Sequence, residues 1–185
     1  MDRYVQSKKT GWLIFCLLIY SPALFSQTAV KIDRLGLTNL YRIDEGLFRS
    51  EQPDKLDFMN FGKLGITEVL NLRLWHSDKD EAKNMNLTLH RVPMRAGNIK
   101  DSDVVQALKI IRDRKGGMLI HCRHGSDRTG VIVAMYRVVF QNYTKEQAIE
   151  EMTNGGFGFH TIYSNIIEYI RRADIEKIKN QMTAE

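Results

Sequence analysis

One stretch limits what this chain can become: Met118-Leu-Ile-His-Cys-Arg-His-Gly-Ser-Asp-Arg-Thr-Gly130. It opens on a short apolar run, Met118 to Ile120, which suits a buried strand. Gly125 and Gly130 then bracket a polar loop, and Val131 to Phe140 follows, apolar on nearly every side and long enough for a buried helix. A strand, a tight loop and a buried helix in that order aim backbone N–H groups at an anion. Strands separated by helices elsewhere in the chain extend this unit to an α/β fold: a central four- to five-stranded, mostly parallel sheet flanked by helices on both faces. The loop then falls at the carboxyl edge of a central strand, where ligands gather in such sheets.

The spacing inside the loop has a chemical use. Five residues separate Cys122 from Arg128, enough to curl around one phosphate-sized anion. The amides of Arg123, His124, Gly125, Ser126, Asp127 and Arg128 form the nest, with the Cys122 sulfur at its floor. A helix N-terminus and a nearby guanidinium both favour thiolate over thiol. The planar fork of Arg128 can hold two phosphate oxygens at once. Thr129 brings a hydroxyl near the sulfur, and His121 can brace the loop through its ring N–H. Two plainer readings compete. A lone cysteine is usually a core residue, but the complete loop pattern argues against that here. Zinc on His121, Cys122 and His124 fails because the three stand too close in sequence for tetrahedral ligation without further partners.

His121-Cys122, five residues, then Arg128-Thr129-Gly130 resembles the signature loop of the cysteine-dependent protein tyrosine and dual-specificity phosphatases, in particular small bacterial-type members. The resemblance covers roughly residues 41–171, strongly in the loop and weakly elsewhere. It implies attack of Cys122 on phosphorus, a phosphocysteine intermediate, and hydrolysis without metal or other cofactor. Arg128 is then the phosphate clamp, and Arg123, His124, Gly125, Ser126 and Thr129 bind substrate. A general acid must protonate the leaving oxygen. Asp127, inside the loop, is the first choice. Asp101 and Asp103, in the segment before the preceding helix, are alternates, and each could equally be a helix cap.

Composition sets outer bounds. The chain has 185 residues, 43% hydrophobic and 26% charged, with a formal net charge of +5. That is one domain with a real core. The mild basic excess suits anionic substrates, and no dense basic stripe of a nucleic-acid binder is present. The implied partners are phosphorylated proteins or phosphorylated small molecules and lipids. Arg123, His124, Arg95 and Lys100 keep a multiply phosphorylated substrate in view. A sulfur-transfer enzyme and a catalytically dead phosphate-binding module are the rivals from other classes.

Residues 1–26 read as a secretory signal segment: Arg3, Lys8 and Lys9, then an apolar run from Trp12 to Tyr20, then Ser21-Pro22-Ala23. The expected destination is secreted or periplasmic, with an uncleaved anchor as the alternative and membrane contact through this segment only. Its removal leaves Cys122 as the sole cysteine and a formal net charge of +3. Residues 27–40 read as a lead-in, 41–178 as the catalytic domain and 179–185 as a frayed tail. The pattern further predicts strands at 47–49, 66–72 and 87–92 and helices at 54–64, 78–86, 103–114 and 162–178. Asp101 or Ser102 is expected to cap the third of these, and Thr144 with Gln147 forms a capping box on a shorter one. Arg73, at a strand's carboxyl end, is expected to be a structural ion-pair partner rather than a substrate contact. Asn154 to Phe159 reads as a flexible, aromatic loop that either rims the pocket or simply joins two helices, turn chemistry favouring the second.

Overall fold

The computed structural model describes Met1, residues 28–33 and residues 36–184. The signal segment expected at residues 1–26 lies outside the described residues except for Met1. Among the described residues, no helix is long and apolar enough to cross a membrane.

The sheet has six strands: β1 Val30–Lys31, β2 Tyr41–Asp44, β3 Leu47–Ser50, β4 Ile66–Asn71, β5 Thr88–Arg91 and β6 Gly117–His121. Their order is β1-β2-β3-β6-β4-β5. The count exceeds the expected four or five because Val30–Lys31, in the lead-in, adds antiparallel to β2. β2 and β3 are antiparallel, while β3, β6, β4 and β5 run parallel to one another. β6 is therefore central, and its side chains alternate between two cores. Met118, Ile120 and Cys122 join the larger cluster, with Leu70, Leu72 and the apolar faces of the later helices. Leu119 points the other way, to Phe48, Phe58, Phe61 and Val69.

The helices are α1 Lys55–Asn60, α2 Asp101–Asp113, α3 Asp127–Phe140, α4 Lys145–Asn154, α5 Ser164–Arg172 and α6 Ile175–Thr183. The first is shorter than expected: Asp54 and Asp57 cap it reciprocally, and its continuation Phe61–Leu64 tightens into a 3-10 turn ended by left-handed Gly65. The Thr144–Gln147 capping box is present at α4. No helix forms at 78–86; that segment is a series of turns, because the Asp78 side chain is drawn inward to His121. α2 begins at Asp101 with Lys100 as its uncapped N-cap, not at Asp103. The Asp101 carboxylate is turned to Tyr169 and Lys177 instead of to the helix end. The single last helix breaks at Ala173, whose backbone is extended, and Asp174 restarts it by accepting from Lys177 N. The end expected to fray is helical through Thr183, since Ile178 and Met182 are buried in the larger core.

Candidate active site

The parallel register brings three strand ends side by side. Ser50 pairs with His121, and His121 pairs with Asn71. The chain leaving each strand is stitched to its neighbour: Leu72 N donates to His121 O at 3.0 Å, and Gln52 N donates to Arg123 O at 3.2 Å. The signature loop thus sits between the ends of β3 and β4.

The loop folds as tightly as it does because Gly125 adopts φ +71°. A Cβ there would lie 2.5 Å from the Ser50 carbonyl carbon and oxygen. Only glycine meets both the left-handed backbone and that approach. The helix after the loop starts earlier than its apolar run suggests: Asp127, Arg128 and Thr129 are already helical. The positive end of α3 is therefore part of the cradle. Gly130 lets α3 approach α4, as a Cβ would stand 3.0 Å from Met152 Cγ.

At the floor, Cys122 is buried. The Arg128 Nε and the Thr129 hydroxyl are buried with no hydrogen-bond partner among the described residues. Orphaned donors of this kind are rare unless a ligand completes them. Ser126 is buried and donates to His124 O at 3.3 Å, while Arg123 and His124 stand exposed at the rim. His121 braces the loop as expected: its Nδ1 is 3.3 Å from Cys122 O and its Nε2 is 2.9 Å from Asp78 Oδ2. Burial pushes the Asp78 carboxyl up. Hydrogen bonds from His121, Gln52 and Asn71, with the charge of His121, outweigh that and hold it below its usual value.

Several participants had no signature in the sequence. Arg49, on β3, is fully buried and donates from Nη2 to Gly125 O at 2.5 Å. Its guanidinium lies 3.8 Å above the Phe157 ring. Burial lowers the Arg49 pKa to about 10, so it stays charged at neutral pH. Residues 154–159 follow the less favoured of their two readings and rim the loop rather than merely join helices. Phe157 is buried, Tyr41 packs edge-on to it at 4.7 Å, and Asn39 Nδ2 donates to both Phe157 O and His124 O at 2.9 Å. The segment forms a wall of the cradle, and the residue following it, His160, reaches Asp127.

Asp127 is buried at the start of α3. Its Oδ1 accepts from the His160 backbone N at 3.0 Å, and His160 Nδ1 stands 2.9 Å from Oδ2. The alternate acids are engaged elsewhere: Tyr169 donates to Asp101 Oδ1 at 3.1 Å and Lys177 to Oδ2 at 2.9 Å, while Asp103 accepts from Ser102 at 3.4 Å. Arg73 is not the ion-pair partner expected. Its Nη1 donates to Gln52 Oε1 at 2.9 Å. Burial first, then the charges of Arg128 and Arg123, lower its pKa, against the opposing charges of Asp78 and Cys122. Two groups of side chains here could hold a metal: His124 with Asp127 and His160, and His76 with Asp78 and Glu81.

A buried free thiol at a strand's end, followed by a helix start whose Arg128 Nε and Thr129 hydroxyl are buried without partners, fits the class of cysteine phosphatases. The chain belongs to the tyrosine phosphatase family, whose shared pattern matches residues 35–184. Among its relatives is the dual specificity protein phosphatase TpbA of Pseudomonas aeruginosa, 32% identical over 146 residues, which are 78% of this chain. The chain spans just under two thirds of that relative's length, 66%. The crystal structure of P. aeruginosa TpbA superposes with a TM-score of 0.76 at 31% identity, covering 89% of this chain and 99% of that one. A cysteine-to-serine form of TpbA in complex with pTyr matches equally, at TM-score 0.76 and 30% identity, over 90% of this chain and 99% of that one. The catalytic core of the PP-IP phosphatase SIW14 from S. cerevisiae shares the fold, with a TM-score of 0.70 at 22% identity over 79% of this chain and 91% of that one.

Proposed function

We propose that this protein hydrolyses phosphomonoesters on phosphotyrosine, phosphoserine and phosphothreonine proteins through a phosphocysteine on Cys122. The observation that carries the reading is the pair of buried, partnerless donors, Arg128 Nε and Thr129 Oγ1, at the helix start that follows the buried Cys122. The pTyr bound to the TpbA variant supports the substrate class.

In the first step the Cys122 thiolate attacks phosphorus and an S–P bond forms. The ester O–P bond breaks, and the carboxylic acid form of Asp127 gives its proton to the departing oxygen. In the second step water attacks phosphorus. The Asp127 carboxylate takes the water's proton, the S–P bond breaks, and thiolate and inorganic phosphate leave. Arg128 holds two phosphoryl oxygens throughout, and the amides from Arg123 to Arg128 stabilise the equatorial charge. Arg49 acts on that geometry by fixing the Gly125 carbonyl outward, which keeps the neighbouring amides turned in. His160 holds Asp127.

A second reading, an inositol phosphate or phosphoinositide substrate, draws on the basic character of the loop, whose Arg123 and His124 are exposed beside Arg128 in the chain. Extra positive charge at such a loop favours a substrate with more than one phosphate. Export by residues 1–26 remains part of the proposal, resting on their charge and hydropathy pattern.

The test is hydrolysis of p-nitrophenyl phosphate in EDTA with reductant. Activity is expected, vanadate should block it, and Cys122→Ser should abolish it. Activity retained in Cys122→Ser would refute the proposal. A panel of phosphopeptides and inositol phosphates then ranks the two substrate classes by kcat/KM.

A further inference from the structure

The rim of the cradle carries a constellation that the hydrolytic reaction uses only in part: Asp127 serves it as acid, and His124 and His160 flank that carboxylate. His124 comes from the signature loop, Asp127 from the first turn of α3, and His160 from the segment after the Phe157 wall. Two imidazoles and a carboxylate, from three parts of the chain, offer ligand atoms that all lie within 4.8 Å of one another. The two imidazole rings are 5.3 Å apart, centroid to centroid, and both residues are exposed while Asp127 is buried. His124 and His160 line a cavity of about 460 Å³, shared with Tyr41 and Phe157, which gives an ion a way in.

From this we infer that His124, Asp127 and His160 form a site for a divalent cation of the imidazole-preferring kind, with Zn²⁺ as the fitting ion. Tetrahedral zinc holds nitrogen and oxygen ligands at about 2.0–2.1 Å, so the ligand atoms stand roughly 3.3 Å apart. His160 Nδ1 and Asp127 Oδ2, at 2.9 Å, are already near that spacing. The remaining adjustment falls on the exposed His124, whose side chain makes no hydrogen bond within the described residues and would have to close by up to roughly 1.5 Å. The buried carboxylate supplies charge neutralisation, and the backbone N–H of His160 keeps its other oxygen fixed. The other candidate group, His76 with Asp78 and Glu81, is poorer, since both Asp78 oxygens are committed to Gln52 and His121.

The consequence is inhibition. A cation there takes the Asp127 carboxylate out of proton transfer and fixes His124 over the loop. That consequence rests on the hydrolytic reading above; the binding itself does not.

Isothermal titration with ZnCl₂ separates the two. It is done on the Cys122→Ser protein, so that the thiol cannot be the ligand. One equivalent is expected to bind, with affinity reduced at least tenfold by His160→Ala or by His124→Ala in the same background, and with no binding of Mg²⁺. Circular dichroism shows whether each variant is folded, and the exposed His124 makes its variant the safer one. In the protein with Cys122 intact, Zn²⁺ should inhibit aryl phosphate hydrolysis reversibly by EDTA. The concentration for half inhibition should rise at least tenfold in His124→Ala, each protein being compared with its own metal-free rate. Binding that disappears in Cys122→Ser, or that survives both histidine changes, overturns the site. An enzyme inactive in EDTA but still binding zinc at these residues would instead refute the hydrolytic reading alone.

Discussion

Replacing Gly125 by alanine tests the geometry of the cradle directly. Two penalties are expected. Holding a non-glycine residue at φ +71° costs about 1–2 kcal/mol. The new methyl group would also lie 2.5 Å from the Ser50 carbonyl and 2.7 Å from Glu51 N, where ordinary contact begins at 3.4 Å. Both neighbours are backbone at the end of a central-sheet strand, so the loop must retreat by about 0.9 Å. Overpacking of this kind costs about 1–3 kcal/mol. Together these predict a loss of about 2–5 kcal/mol, or roughly 5–15 °C in melting temperature for a domain of this size. Turnover should suffer more than stability. A displacement near 1 Å at the reacting group costs about a hundredfold, so kcat/KM for an aryl phosphate should fall at least that far well below the melting temperature. Gly65→Ala is the control: it shares the dihedral, φ +72°, but a Cβ there meets nothing within 4 Å. It should lose only the conformational penalty and keep the parent kcat/KM. If Gly125→Ala turned over within threefold of Gly65→Ala, the amide nest would not be what holds the reacting phosphate.

Other expectations follow from neighbouring contacts. Arg49→Met removes a charge-assisted hydrogen bond and a cation–π contact. It should cost about 2–4 kcal/mol in urea unfolding and lower kcat/KM at least tenfold; unchanged turnover would mean that Arg49 does not shape the loop. Asp78 is held below its usual carboxyl value, so its stabilisation is complete above the unfolded pKa near 4 and is lost as pH falls through the lower, folded value. Asp78→Asn should therefore be less stable at pH 7 by about 1–3 kcal/mol, with a shallower decline in acid, as read from urea midpoints across pH. Equal acid slopes in the two proteins would contradict that. Asp127→Asn should slow esters with poor leaving groups far more than those with good ones; the same pattern in Asp101→Asn would move the acid to the start of α2.

The parts of the fold that could be read in the sequence are those set by short-range pattern. β4 and β5, the Thr144 capping box and the strand–loop–helix around Cys122 are local facts of hydropathy and turn chemistry. Cys122, Arg128 and Thr129 stood out as candidates from their spacing, and 154–159 as a possible rim. Arg49, Phe157 and His160 gave no sign of their partners. Each acts on the loop from a distant part of the chain, and nothing in LFRS or GGFGFH announces which partner it will meet. The segment at 78–86 failed for a related reason. Its spacing permits a helix, but Asp78 serves His121 across the sheet edge, a contact that only the register of β4 and β6 creates. Asp101 looked free to cap a helix or deliver a proton, and Tyr169 and Lys177, far along the chain, engage it instead.

The wall formed by Phe157 closes the cradle from the C-terminal side, while Arg49 and Gln52 close it from the N-terminal side. More than a hundred residues of chain lie between these two flanks, so assembly of the pocket is a late, long-range event in folding. Until residues 157–160 dock, a growing polypeptide lacks one wall around the loop that carries Cys122. Whatever compartment it folds in, oxidants in the surroundings then have their best opportunity, and the speed of that final docking governs how much of the protein ever becomes competent.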